Sequence, residues 1–218
     1  VRELNLIAQD TTRYGHDLGD GTNLAGLLRA LDELPGDFWL RVLYTHPAHL
    51  DDAFIDALAN SAHALPYVDL PLQHIDDAVL NAMGRRTPGT ELRKRIDALR
   101  VAVPGLALRT TFLVGYPGET DEAFESLLAF VRETRFERLG CFAYCPEPGT
   151  QGEKRHRENP VPADLAEERR ARILEAQQQI ALENNRRLVN TETTVLLDVP
   201  ADETTWLART AADAPDVD

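Results

Sequence analysis

A spacing constrains this chain more than any single residue. Five short apolar runs, Glu3–Gln9, Phe38–Tyr44, Tyr67–Gln73, Leu106–Gly115 and Leu139–Cys145, start about 30 to 40 residues apart, the length of a strand with its crossover helix. Between them, helical spacing recurs at Leu24, Leu27, Leu28 and Leu31, at Leu50, Phe54, Ile55 and Leu58, and at Phe124, Leu127, Leu128 and Val131. Regular strand–helix alternation predicts a parallel sheet covered by helices, wound open or closed as a barrel.

After the fifth run comes a polar stretch, PEPGTQGEKRHRENPVP, and then Asp164 with Glu167, which has the form of an N-cap and its reciprocal carboxylate. A helix is predicted from Leu165 to near Leu188, with Ile173, Ala176 and Ile180 inward and the charges of EERRAR facing solvent. Thr193–Val199 reads as one more strand, and the acidic tail beyond it as frayed or as the start of a further domain. The organisation expected is therefore a partial β/α barrel over 1–160, a linker helix packing on it over 161–190, and over 191–218 the start of a small β-domain or a disordered tail.

Composition narrows the function. The chain has 218 residues, 43% of them hydrophobic, enough for one substantial core. No run of about eighteen apolar residues occurs, and the start, VRELNLIAQD, lacks the basic and apolar regions of a signal peptide, so a cytoplasmic protein with no membrane partner is expected. A formal net charge of −13 argues against direct nucleic-acid binding by this segment.

Cys141 and Cys145 are too few to hold an iron–sulfur cluster unaided. Four residues apart on a strand, they lie about 13 Å from each other at roughly 3.3 Å per residue, whereas thiolates sharing one metal approach within about 4 Å. Neither is expected to ligate a metal. Walker A, GxGxxG and GxSxG patterns are absent from the sequence, which leaves nucleotide hydrolysis and serine chemistry unsupported.

In parallel α/β folds, ligands bind at the C-terminal ends of the strands. Those ends read Gln9-Asp10-Thr11-Thr12, Thr45-His46-Pro47, Gln73-His74, Gly115-Tyr116-Pro117-Gly118-Glu119 and Pro146-Glu147-Pro148-Gly149-Thr150. In GYPGET, two glycines flank Pro117 and would let backbone approach a ligand, while Glu119 would accept from hydroxyls or an amine. An ordinary turn into the helix that follows is the competing reading. Gln73 is suited to read a ribose or carboxylate. His74 is weighed as a structural histidine first, and Arg109 as a strand cation that needs a partner or an anionic ligand.

In order, LNLIAQDTTRYG, the strand ending YTHP, LPLQHIDDAVLNAMGRRT, LRTTFLVGYPGETDEAF, RLGCFAYCPEPGT and ERR…QQQIALENNRRLV resemble the RimO group of radical S-adenosylmethionine methylthiotransferases over roughly Val1 to Val199. The tRNA-modifying MiaB group typically has QNV where this chain has Gln9–Thr12, and QS at Gln73-His74. Arg85-Arg86-Thr87 also fits the ribosomal-protein group better.

The resemblance implies an incomplete TIM-like radical SAM barrel. It also implies methylthiolation of an aspartate β-carbon on a small-subunit ribosomal protein, with S-adenosylmethionine and two 4Fe–4S clusters in the full-length parent. By the same resemblance Gln73, Gly115, Pro117, Gly118, Glu119, Pro146 and Thr150 are expected at the cofactor, and Gln9, Asp10, Thr11, His46, His74 and Arg109 at cofactor or substrate. No catalytic residue is assigned. The family's C-x₃-C-x₂-C loop is missing from this sequence, so no cluster is expected on this chain and the chain alone is expected to be inactive. The alternatives are a MiaB-like tRNA methylthiotransferase and a cluster-free barrel that serves as a binding module.

Overall fold

The computed structural model describes residues 1–215. Five strands, β1 (Glu3–Leu6), β2 (Trp39–Val42), β3 (Ala64–Asp69), β4 (Ala107–Val114) and β5 (Arg138–Ala143), form one parallel sheet in chain order. Among the described residues β1 and β5 are its edges, as in a barrel that is not closed.

Register sorts the side chains. Leu4 and Leu6 pair with Leu40 and Val42, and Phe112 with Cys141, and all of these enter the main core. That core is completed by α1 (Leu24–Asp32), α2 (Asp52–Asn60), α4 (Gly89–Ala102) and α5 (Asp121–Thr134), which cover the convex face. The alternate residues, Glu3, Asn5, Arg41, Asp69, Arg109, Thr111 and Arg138, point to the concave face, because successive strand residues alternate sides.

Helix starts follow ordinary capping chemistry. Asn23 Oδ1 accepts from Gly26 N at 2.9 Å, Asp51 Oδ1 from Phe54 N at 2.8 Å and Thr120 Oγ1 from Ala123 N at 3.2 Å. Phe124, Leu127, Leu128 and Val131 of α5 are all buried, as their spacing predicts.

Several expectations need correction. β3 begins three residues earlier than the apolar run and leaves regular pairing after Asp69, since Pro71 has no N–H to give the ladder and Gln73 is left-handed. The polar stretch after β5 contains α6 (Gln151–Glu158), capped by Thr150. A short α3 (Asp77–Ala82) precedes α4.

The long helix, α7 (Ala163–Leu188), starts after Pro162 rather than Asp164: the Pro162 carbonyl accepts from Ala166 N at 2.9 Å, and no side chain caps it. Pro162 fits there because the first helical turn leaves its N–H groups unpaired in any case. Arg169, in the charged run expected to face solvent, is buried against α5.

The tail is not frayed through residue 215. β6 (Val195–Pro200) and β7 (Trp206–Thr210) form an antiparallel hairpin, and residues 209–214 return to the concave face. Arg209 donates to Glu3 Oε2 at 2.7 Å, Arg41 to the Ala211 carbonyl at 3.0 Å, and Arg138 to Asp213. Ala214 is buried with Leu43, Leu65, Tyr67 and Ala107. Composition misled here because small alanines and charged partners, rather than large apolar residues, make this contact. Residues 216–218 of the expected 191–218 segment lie outside the described residues.

Candidate functional site

The C-terminal ends of the strands share an uncommon backbone feature. β2, β3 and β4 are each followed by a residue with positive φ: Tyr44 (55°), Gln73 (70°) and Gly115 (73°). For a non-glycine residue this conformation costs roughly 1–2 kcal/mol and persists where surrounding bonds impose it.

The bonds that impose it are visible. Tyr44 N donates to the buried Asp69 Oδ2 at 3.0 Å, and Thr45 Oγ1 donates to the Asp69 carbonyl at 2.5 Å. Gln73 N donates to the Thr111 carbonyl and its own carbonyl accepts from Leu113 N, each at 2.9 Å. The Gln73 backbone is thereby clamped to β4 while its side chain stays partly exposed at the rim.

Gly115 is glycine for a different reason than ligand approach. A Cβ there would sit well inside van der Waals contact of Ala166 Cβ, so the position is filled by α7. Gly118, at φ 86°, is exposed, and Pro117 beside it is buried.

Glu119 does not project toward solvent. Its buried carboxylate accepts from Gly115 N, from Arg169 Nη1 at 3.0 Å and from His74 Nε2 at 3.1 Å. His74 Nδ1 accepts from Asp76 N at 3.0 Å, which leaves Nε2 as the ring nitrogen that donates to Glu119. Arg169 also donates to Asp121 Oδ1 at 2.6 Å. Three segments, the ends of β3 and β4 and the start of α7, are thus tied to one anion. Glu119 and His74 hold the rim together from beneath.

The other polar concentration joins the ends of β1 and β2 to the loop after α3. Thr11 is buried, with its N–H on the Tyr44 carbonyl at 3.0 Å and its hydroxyl on the Leu43 carbonyl at 2.6 Å. Asp10 bonds Thr12 and meets His49 Nδ1 at 2.7 Å. Burial opposes the charge on Asp10, but the Thr12 and His49 contacts outweigh it and hold the carboxyl below its ordinary value.

His46 receives two donors, Ala48 N on Nδ1 at 3.2 Å and Arg85 Nη1 on Nε2 at 3.1 Å. Burial first, and Arg85 second, push the His46 ring below its ordinary pKa. Arg85 also reaches the Pro71 carbonyl at 3.4 Å.

Ligand atoms of Asp10, His46 and His49 lie within 4.8 Å of one another. A cation among them would have to sit beside the Arg85 guanidinium, which occupies the outer nitrogen of His46. The charge pattern of this cluster suits an anion better than a metal.

Of the remaining expected residues, Arg109 pairs with Asp69 Oδ1 at 2.9 Å inside the concave face. Gln9 is exposed at the rim. Pro146 is exposed, and the Thr150 hydroxyl is engaged with Glu147 O at 2.8 Å and Glu153 N at 3.1 Å as the α6 cap. Arg85, His49, Asp69 and Arg169 were not among the residues expected at the site. Only Arg85, within the GRRT element, carried any hint of a role there.

A family model described as the Radical SAM superfamily matches residues 11–131. The chain belongs to the radical SAM superfamily. Its fold agrees: the radical SAM enzyme coproporphyrinogen III oxidase (HemN) of Escherichia coli covers 74% of this chain with its own chain covered to 36%, at a TM-score of 0.52 and 18% identity. Elp3 of Methanocaldococcus infernus aligns over 82% of this chain and 45% of its own, at a TM-score of 0.56 and 14% identity.

Curated relatives are much nearer in sequence. A protein named ribosomal protein uS12 methylthiotransferase RimO from Opitutus terrae is 44% identical over 231 residues, covering 100% of this chain and 48% of the relative. One of the same name from Geobacter sulfurreducens is 40% identical over 220 residues, covering 100% and 49%. The chain spans about half the length of the relatives it matches.

Radical SAM membership brings S-adenosylmethionine and a 4Fe–4S cluster into the chemistry. The cysteines here do not fit the cluster: Cys141 is buried in the core, where burial pushes its thiol up to about 12, and Cys145 is exposed. At the adjacent ends of β3 and β4, the backbone of Gln73 is clamped to β4 and Gly118 is exposed at positive φ. No helix among the described residues is long and apolar enough to cross a membrane.

Proposed function

We propose that the protein containing this chain methylthiolates an aspartate β-carbon of a small-subunit ribosomal protein, and that this chain supplies the part of the barrel that holds S-adenosylmethionine and positions the target. The observation that carries this reading is 40–44% identity along the whole chain to relatives named as uS12 methylthiotransferases.

When bound, S-adenosylmethionine supplies the radical that activates the carbon. Gln73 and Gly118 form the surface on which it rests, with Gly115, Pro117 and Glu119 holding that surface in place. Gln9, Asp10 and His46 face the same opening from β1 and β2, with the buried Thr11 holding the two strand ends together. Pro146 and the loop it begins border the far side.

The 4Fe–4S clusters, two in the full protein, are held by cysteines other than Cys141 and Cys145. The net charge of −13 favours a protein substrate over direct nucleic-acid contact by this part, and a modifier of ribosomal protein would work in the cytoplasm.

Mass spectrometry of uS12 and of tRNA from cells with and without the gene tests this. Loss of the methylthio group from the uS12 aspartate alone is expected. Loss from tRNA with uS12 unchanged overturns the reading in favour of the tRNA-modifying group.

A further inference from the structure

Arg85 is the charged group of the rim least accounted for by its neighbours. It is partly buried, and burial disfavours its charge. Its hydrogen bonds go to neutral acceptors, His46 Nε2 at 3.1 Å and the Pro71 carbonyl at 3.4 Å, both from Nη1. Asp10 lies near enough for its field to favour the Arg85 charge, but that carboxylate is engaged by His49 and Thr12. Arg169 and Arg109, also sheltered, each have a carboxylate within 3.0 Å.

His46 adds an independent observation. Both ring nitrogens face N–H donors, Ala48 N and Arg85 Nη1. A neutral imidazole can accept at one nitrogen only, and a protonated one at neither. One of the two contacts therefore sets a ring N–H against a donor. An acceptor entering between Arg85 and His46 removes this conflict, since Nε2–H and the guanidinium would both donate to it.

We infer that Arg85, with His46 Nε2, is a carboxylate receptor at the mouth of the site, formed where the ends of β1 and β2 meet the loop after α3. A carboxylate matches the planar fork of arginine and supplies the charge the guanidinium lacks. Two sources share this chemistry: the acidic side chain of a protein substrate and the amino-acid end of S-adenosylmethionine. Naming these two rests on the proposed function; the anion preference itself does not.

Calorimetric titration of the protein expressed from its intact gene separates the sources without any turnover. In one arm N-acetylaspartate N-methylamide is compared with its asparagine counterpart. In the other, S-adenosylmethionine is compared with its decarboxylated analogue. At least one pair is expected to differ by about tenfold in affinity, as for a charge-assisted bond. In Arg85→Gln that preference should fall below about twofold, and Arg85→Lys should restore part of it. A preference in the first arm assigns the receptor to substrate, one in the second to cofactor.

Neither pair differing in the unaltered protein overturns the inference, even if the Arg85→Gln variant does not fold. So does a preference that survives in a variant whose melting temperature is unchanged. If uS12 proves not to be the target, the proposed function fails while these affinities still stand as measured.

Discussion

Arg169 Nη1 donates to Glu119 Oε2 at 3.0 Å, joining two buried side chains fifty residues apart in the chain. Replacing Arg169 strands the Glu119 charge in the core, whereas replacing Glu119 leaves Arg169 its bond to Asp121. Arg169→Met should destabilise the protein by about 3–5 kcal/mol. The double variant with Glu119→Gln should lose less than the two single losses added together, because no charge is then left unpaired. Urea unfolding of the four proteins measures this cycle, and strict additivity would refute the coupling.

Gly115→Ala meets two obstacles, a positive φ and the Cβ of Ala166. The expected cost is about 2–4 kcal/mol, the overpacking and backbone contributions together. Adding Ala166→Gly should recover the steric part, less about 1 kcal/mol for glycine within a helix. Thermal melts suffice to see whether the second change rescues the first.

The contact between the end of α1 and the start of β3 sets an acid limit. Asp32 is held at about 2, chiefly by the Ser61 hydroxyl at 2.5 Å, with the N–H groups of His63 and Ala62 contributing. A depressed carboxyl gives its stabilisation in full above the unfolded value near 3.9 and loses it as pH falls toward 2. Ser61→Ala should therefore raise the midpoint of acid unfolding, and its stability loss should be full at pH 7 and smaller at pH 3, where the wild-type contribution is already partly gone. Circular dichroism across pH 1.5–5 checks the shift.

The two cysteines should differ sharply toward alkylation. Cys141 is buried and its thiol is pushed up to about 12, so at pH 8 it stays protonated and shielded. Cys145 is exposed. Iodoacetamide followed by peptide mass mapping should modify Cys145 first, with Cys141 reacting only on unfolding. Equal rates in the native protein would contradict the burial described above.

Much of the fold was legible because the sheet's core face is apolar at every second residue and the helices repeat their leucines and phenylalanines at helical spacing. The failures have physical causes. QGEKRHRE has no apolar face, and α6 is fixed instead by the Thr150 cap and by Tyr144 standing over Gly152. Arg169 looks solvent-facing among EERRAR, because its partners lie at Glu119 and Asp121, far away in sequence.

At the site, the polar strand ends were visible but their division of labour was not. Glu119 and Gly115 have the composition of a ligand-binding turn, whereas their side-chain oxygens and missing Cβ are used up by His74, Arg169 and α7. The left-handed backbone of Tyr44 and Gln73 has no signature in residues that usually avoid it.

Residues 209–214 turn the open sheet into a cup with a floor. Arg41, Tyr67 and Ala107 would otherwise present their concave sides to water from beneath; Ala211 and Ala214 are laid across them. The base of the concave face is thus closed by a stretch of chain just over two hundred residues after β1. Cutting the Arg209 tie to Glu3 would loosen the base of the cup while leaving its rim untouched.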